Sequence, residues 1–145
     1  MKRMSALLSL LCVAMITFAQ IHEPIQCEAS WKMVDDKAAE LRITAVIDAG
    51  WHVYSTELED GPTAATLVVE TIEGARLDGK LTFEGKEIAK YDEMFGMDVR
   101  YFEDKGTFVQ RFAIDSDSYI VQGYFQYGAC EIGRASCRER VSLCV

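Results

Sequence analysis

Residues 41–48 read Leu-Arg-Ile-Thr-Ala-Val-Ile-Asp, and this stretch decides the fold class. Apolar side chains stand at every second position, namely Leu41, Ile43, Ala45 and Ile47. Such an alternation is typical of a β-strand with one buried face, because successive side chains point to opposite sides. Residues 48–50 then read Asp-Ala-Gly, a turn signal before a second strand-like segment at residues 51–55. The stretch therefore predicts a strand, a turn and a second strand.

The rest of the chain body continues this pattern of short strands between turns. After a loop at Gly61-Pro62, residues 66–70 and 75–83 are strand-like. Two later segments place apolar side chains on one face: Phe108, Phe112 and Ile114 in the first, and Val121, Phe125, Tyr127 and Ala129 in the second. We predict an all-β domain, an immunoglobulin-like β-sandwich of two packed sheets. An up-and-down barrel fits the same strand signals and is the alternative.

The N-terminal residues have the features of an export signal. Lys2 and Arg3 give a basic start, an apolar run follows at residues 7–18, and Ala19 offers a small residue for cleavage. The apolar run is too short for a permanent membrane-spanning helix. We therefore expect residues 1–19 to be a signal peptide and the mature chain to begin at Gln20, in the periplasm; a buried core helix is the alternative.

The C-terminal residues show no structural pattern. Residues 131–141 read Glu-Ile-Gly-Arg-Ala-Ser-Cys-Arg-Glu-Arg-Val, without an apolar period. Their back-translation resembles a common short-read sequencing adapter, so we expect residues 131–145 to be an artefactual tail rather than part of the fold. The domain would then cover residues 20–130 and lack its final strand. A genuine basic tail is the alternative.

Charge and cysteine content narrow the functional class. The chain carries 15 Lys and Arg against 23 Asp and Glu, a net charge of −8. Residues 20–130 hold 10 of the basic and 21 of the acidic residues, a net charge of −11. This acidity argues against nucleic acid and anionic membranes as partners. Between the two ends the chain holds two cysteines, Cys27 and Cys130. They could pair with each other if their Cα atoms lie within about 7 Å, or Cys130 could have lost its partner with the missing C-terminus.

Motifs of common catalytic sites are absent from the sequence. It contains no nucleophile elbow, phosphate loop, dinucleotide fingerprint or Cys-x-x-Cys pair. His22 and His52 are the two histidines, too few for a metal site. We expect no cofactor and no metal.

Three segments together resemble a known family. They are residues 48–55 (Asp-Ala-Gly-Trp-His-Val-Tyr-Ser), residues 91–96 (Tyr-Asp-Glu-Met-Phe-Gly) leading into residues 98–102, and residues 123–130 (Gly-Tyr-Phe-Gln-Tyr-Gly-Ala-Cys). Their order and spacing are similar to the N-terminal periplasmic domain of the thiol:disulfide interchange protein DsbD. The resemblance covers nearly all of residues 20–130.

The resemblance implies an immunoglobulin-like domain with two redox cysteines in a Cys-x5-Cys hairpin followed by two prolines. Such a domain takes electrons from the thioredoxin-like domain of the same membrane-anchored protein and passes them to periplasmic disulfide oxidoreductases, including those of cytochrome c biogenesis. Cys130 matches the first redox cysteine. The second has no counterpart, because Cys137 stands one residue too far away and lacks the prolines. We therefore expect this chain alone to be inactive as a protein-disulfide reductase.

The resemblance also implies a binding region around the cysteine. Asp92, Glu93, Met94, Phe95 and Gly96 match a cap that covers the redox cysteines and opens when a partner docks. The family often has an aromatic side chain where this sequence has Met94, so Phe95 could supply the cover instead. A solvated turn is the alternative.

A neighbouring strand and Cys130 itself each allow two interpretations. Trp51, His52 and Tyr54 match the strand near the family's active site, and they could equally be core aromatics. Cys130 could be a buried small hydrophobe. Because Cys130 follows Ala129, it should face away from the apolar side of the last strand, and we expect an exposed thiol there.

Two functions without redox chemistry fit the same sequence. A secreted immunoglobulin-like binding or adhesion module would account for the sandwich, the acidity and the export signal. A copper or zinc chaperone is a third option, although the chain offers few ligands.

Overall fold

A computed structural model describes residues 23–133 and the backbone of residues 137–144. The proposed signal peptide and residues 134–136 and 145 lie outside the described part. The described residues form ten β-strands. They are β1 (Ile25–Asp35), β2 (Ala38–Ile47), β3 (Trp51–Tyr54), β4 (Thr66–Glu73), β5 (Ala75–Glu84), β6 (Ile88–Asp92), β7 (Met97–Phe102), β8 (Lys105–Ile114), β9 (Ile120–Glu131) and β10 (Cys137–Cys144). No helix in these ranges is long and apolar enough to cross a membrane.

The strands form two separate antiparallel sheets. The first has the order β1-β2-β8-β5, and the second has the order β10-β9-β3-β7-β6, with β4 also paired to β9. The stretch that decided the fold class is β2 and the turn after it, and β2 pairs with β1 and β8. The predicted immunoglobulin-like β-sandwich is confirmed, and the alternative of a single closed sheet is wrong.

The main core lies between the two sheets. Ile43 and Ala45 of β2 are fully buried, as the alternation predicts. Phe108 of the first sheet and Phe125 of the second sheet meet with ring centroids 4.9 Å apart, so the two sheets pack through aromatic contacts. Each large apolar side chain that is fully buried contributes about 1.5–3 kcal/mol.

The β9 edge of the second sheet differs from our expectation. We expected this edge to lack its neighbouring strand, yet β10 pairs with β9 from Cys130 to Gln122. On its other side, β9 pairs with β3 and β4. A ladder of backbone hydrogen bonds does not require an apolar side-chain pattern. A segment without such a pattern therefore occupies the position that we expected to be empty.

Candidate functional site

The short strand β3 has two faces that pack against different parts of the molecule. Trp51 and Val53 pack with the main core between the sheets. Their neighbours His52 and Tyr54 are also buried, but they point to the opposite face because side chains alternate along a strand. A second apolar region therefore exists on the outer face of this sheet.

This second region is a small cluster around Cys130. Its buried members are Tyr54, Val99, Tyr101 and Cys130, and its half-buried members are Leu58, Ile88, Phe95 and Met97. We call these eight residues the cysteine cluster. The main core shares none of the buried members with it, so the region around Cys130 is a separate packing unit.

Cys130 lies near the end of β9, between β3 and β10. Its Cα atom is opposite that of His52 on β3 and that of Cys137 on β10. Cys130 is disulfide-bonded and only 4% exposed. The expected exposed and unpartnered thiol is therefore wrong, although Cys130 does face away from the apolar side of β9, as its position after Ala129 predicts. The side chain of Cys137 lies outside the described part.

Cys27 takes no part in this site. Its thiol is free, so the alternative of a Cys27–Cys130 disulfide is wrong. Cys27 packs against the main core from β1. Burial raises the pKa of this thiol, and a hydrogen bond with Tyr127 opposes the shift. Cys27 is therefore a packing residue of the main core.

The segment expected to form a cap is the tight turn between β6 and β7. The carboxylate of Asp92 accepts hydrogen bonds from the backbone N–H groups of Met94 at 2.8 Å and Phe95 at 3.3 Å. The Asp92 carbonyl accepts a third from the N–H of Gly96 at 2.8 Å. Gly96 has a φ of 66°, in the left-handed region that favours glycine. We call residues 92–96 the cap turn.

Phe95 is the cap-turn side chain that reaches the cysteine cluster. Its ring meets that of Tyr54 edge to face, with centroids 6.2 Å apart. Met94 is 56% exposed, and Glu93 is exposed as well. Of the two candidates for the cover, Phe95 and not Met94 packs against the cysteine cluster.

Burial controls the protonation of the groups around Cys130. Burial raises the pKa of Tyr54 to about 12, and the charge of Asp92 adds to this shift. Burial likewise raises the pKa of Tyr101, with additional contributions from Glu103 and Asp92. For His52 burial lowers the pKa, whereas the charges of Asp92 and Glu103 oppose this shift. At neutral pH the aromatic groups next to Cys130 are therefore uncharged.

Within residues 23–133, no group of three or more His, Cys, Asp or Glu side chains is arranged to hold a metal ion.

Comparison with known proteins identifies a solved structure that has the same fold. No family model and no curated protein matches the sequence. Among solved structures, the N-terminal periplasmic domain of ScsB from Proteus mirabilis matches with a TM-score of 0.63 and 13% identity. The chain has the fold of that domain. The match covers 87% of this chain and 47% of the ScsB chain, so this chain spans about half of the ScsB domain's length.

A DsbD structure also matches the chain. The N-terminal domain of Neisseria meningitidis DsbD in the reduced form matches with a TM-score of 0.49 and 16% identity, over 86% of this chain and 87% of that one. The fold that the sequence resemblance implied agrees with the ScsB match.

The ScsB-like fold brings some of the candidate residues together and separates others. His52, Tyr54 and Phe95 all lie on the Cys130 face, whereas Trp51 packs against the main core on the other face. Two of the four buried members of the cysteine cluster were not singled out in the sequence, namely Val99 and Tyr101. Their spacing of two within residues 98–102 is the signal that could have identified them.

Proposed function

We propose that this chain is a periplasmic thiol–disulfide interchange domain whose disulfide at Cys130 accepts electrons from a dithiol protein and passes them on. The observation that carries the proposal is the position of this disulfide. Cys130 is disulfide-bonded on the outer face of the sheet, beneath the cap turn, and not in the main core. A disulfide under a small removable cover suits exchange better than one enclosed between two sheets.

The exchange reaction requires access to the disulfide. A thiolate of the donor must attack one sulfur of the disulfide in line, and a second thiol must then release the mixed disulfide. Cys130 is 4% exposed, and Phe95 packs in the same cluster. The cap turn must therefore move before an incoming sulfur can reach its target, and a docking partner would favour the open state.

The proposed partners follow from the fold and the resemblance. The donor is the thioredoxin-like domain of the full-length protein, and the acceptors are periplasmic disulfide oxidoreductases. The ScsB domain with this fold is periplasmic, which supports the same location for this chain. Export through residues 1–19 is part of the proposal.

The disulfide bears on our expectation that the chain is inactive. That expectation rested on a missing second redox cysteine. A disulfide at Cys130 requires a second sulfur at a bonding distance of about 2 Å. The pairing supports at least one round of two-electron exchange, and we therefore propose that the chain is competent for that round.

The test uses the oxidised chain and a reduced thioredoxin-like protein as the dithiol donor. After quenching with an alkylating reagent, peptide mass spectrometry measures the fraction of Cys130 that has become a thiol. We expect this fraction to rise with time. A Cys27→Ser variant should behave as the wild type because Cys27 is free and lies in the other sheet.

Two results would distinguish this function from the binding or adhesion module. A Cys130→Ser variant should leave the donor reduced, because the disulfide that accepts the electrons is gone. If Cys130 stays disulfide-bonded even in a Phe95→Ala variant, the redox proposal is overturned, and the disulfide is a structural one in a binding module.

A further inference from the structure

His52 is a buried histidine whose ring nitrogens have no assigned partner. It is 8% exposed, and neither Nδ1 nor Nε2 has a hydrogen-bond partner among the residues that the structure describes. Buried polar atoms are nearly always hydrogen-bonded, so an exception requires an explanation. The strand register suggests an explanation: His52 lies directly opposite Cys130 in the β3–β9 pairing.

The cross-strand position brings the imidazole close to the sulfur. Directly opposite residues on antiparallel strands point to the same face, with Cβ atoms roughly 4.5–5.5 Å apart. The His52 ring packs between two tyrosine rings, with centroid distances of 4.8 Å to Tyr54 and 4.6 Å to Tyr101. These contacts fix the ring on the Cys130 side of the sheet.

The charged and titratable groups around His52 suit a proton acceptor. The groups that face it are Tyr54 on its own strand, Tyr101 on β7, Cys130 on β9, Asp92 at the end of β6 and Glu103 after β7. None of these is a cation. Burial keeps the imidazole neutral and able to take a proton, and the two carboxylates favour the imidazolium once it forms.

We propose that His52 accepts and returns the proton of the Cys130 sulfur during thiol–disulfide exchange. This inference rests on the proposed function and assigns an acid–base residue to it. When the reduced Cys130 attacks a disulfide, such as the mixed disulfide that a second thiol has formed with a partner, its thiol proton moves to His52 and a new S–S bond forms. The S–S bond under attack breaks, and the departing thiolate then takes the proton from the imidazolium. The net change is one thiol exchanged for another, with no electron unaccounted for.

The test uses the full-length reduced chain and dithiodipyridine as a small neutral disulfide. Peptide mass spectrometry measures, from about pH 6 to about pH 9, the rate at which each cysteine loses its free thiol, either as the adduct or as the disulfide that a second thiol forms from it. The matched reference is Cys27 in the same sample. This thiol is half-buried, and its register partner is Ala45 rather than a histidine.

The expected result is a change in the pH dependence at Cys130 alone. In the wild type the rate should rise only weakly with pH, because neutral His52 removes the proton. In His52→Phe, which keeps an aromatic ring between the tyrosines, the rate should follow the thiolate fraction and rise about tenfold per pH unit. At neutral pH the variant should be roughly a hundredfold slower, a size typical of general-base catalysis.

Equal pH dependences in the wild type and His52→Phe would overturn the proposal. If the substitution disturbs the fold, the rate at Cys27 rises in the same sample. In that case His52→Gln is measured instead of His52→Phe. A wild-type pH dependence in His52→Gln would likewise overturn the proposal. A small disulfide needs no protein partner. Failure of the proposed function is therefore detected in a different experiment, in which the thioredoxin-like donor transfers no electrons to the chain.

Discussion

The ring of Phe95 meets the ring of Tyr54 edge to face, with centroids 6.2 Å apart. This contact joins the cap turn to the strand that runs beside Cys130. Tyr54 is 1% exposed, whereas Phe95 is half-buried. Phe95 therefore lies at the surface, and Tyr54 is packed beneath it. A removable cover requires this arrangement.

Removing the Phe95 ring should make the disulfide easier to reach. A half-buried aromatic side chain contributes about 1.4 kcal/mol to the closed state, which corresponds to roughly a tenfold change in the closed-to-open ratio. We expect Phe95→Ala to be reduced by dithiothreitol about ten times faster than the wild type. Timed alkylation of Cys130 measures this rate.

Met94→Ala is the matched control for this measurement. Met94 is the adjacent residue and is 56% exposed, so its loss should leave the rate of reduction unchanged. An acceleration in Met94→Ala equal to that in Phe95→Ala would show that the turn as a whole, and not the Phe95 ring, protects the disulfide.

Asp92 should also affect the rate at which the disulfide is reduced, because its hydrogen bonds hold the conformation of the cap turn. Its carboxylate accepts the N–H groups of Met94 and Phe95, so Asp92→Ala leaves two donors without their acceptor. We expect faster reduction of the disulfide in Asp92→Ala. Asp92→Asn keeps a side-chain oxygen as acceptor and should stay close to the wild type. Equal acceleration in the two variants would instead point to the charge of Asp92.

Much of the fold could be predicted from the sequence, because alternation along single strands is a local property. The period of two identifies β2, and the phase of Cys130 after Ala129 places its side chain on the correct face. The exposure of that face could not be predicted from β9 alone, since it depends on a turn that is remote in sequence. Trp51 shows the same limit, because only strand pairing decides which face of β3 meets Cys130.

The lowered pKa of His52 predicts a specific loss of stability in acid. The unfolded chain binds a proton on His52 below a pH of about 6.5. Because burial lowers the pKa in the folded chain, the unfolded state binds more protons in that range. The contribution of neutral His52 to the free energy of unfolding is therefore fully present above about pH 6.5. It is lost as the pH falls towards the pKa of His52 in the folded chain.

Urea unfolding at about pH 7.5 and about pH 5.5 measures this loss. Carboxylates also titrate on the acid side, so the useful quantity is the difference between the wild type and His52→Phe. We expect the stability of the wild type to decline more steeply than that of the variant. Parallel curves would mean that the pKa of His52 is the same in the folded and the unfolded chain.

The edge of β9 should require a neighbouring strand, but the side chains of that strand should not matter. β10 pairs with β9 along residues 122–130, and a chain that stops at Gly133 would leave these backbone groups open to other chains. Under reducing conditions, which remove any contribution of the disulfide, we expect the shortened chain to have a lower urea midpoint and to form oligomers in size-exclusion chromatography. Replacing residues 137–144 by an unrelated polar strand-forming sequence should restore the monomer, because the ladder uses backbone groups. A shortened chain that stays monomeric with an unchanged midpoint would show that β3 and β4 alone are sufficient to hold β9.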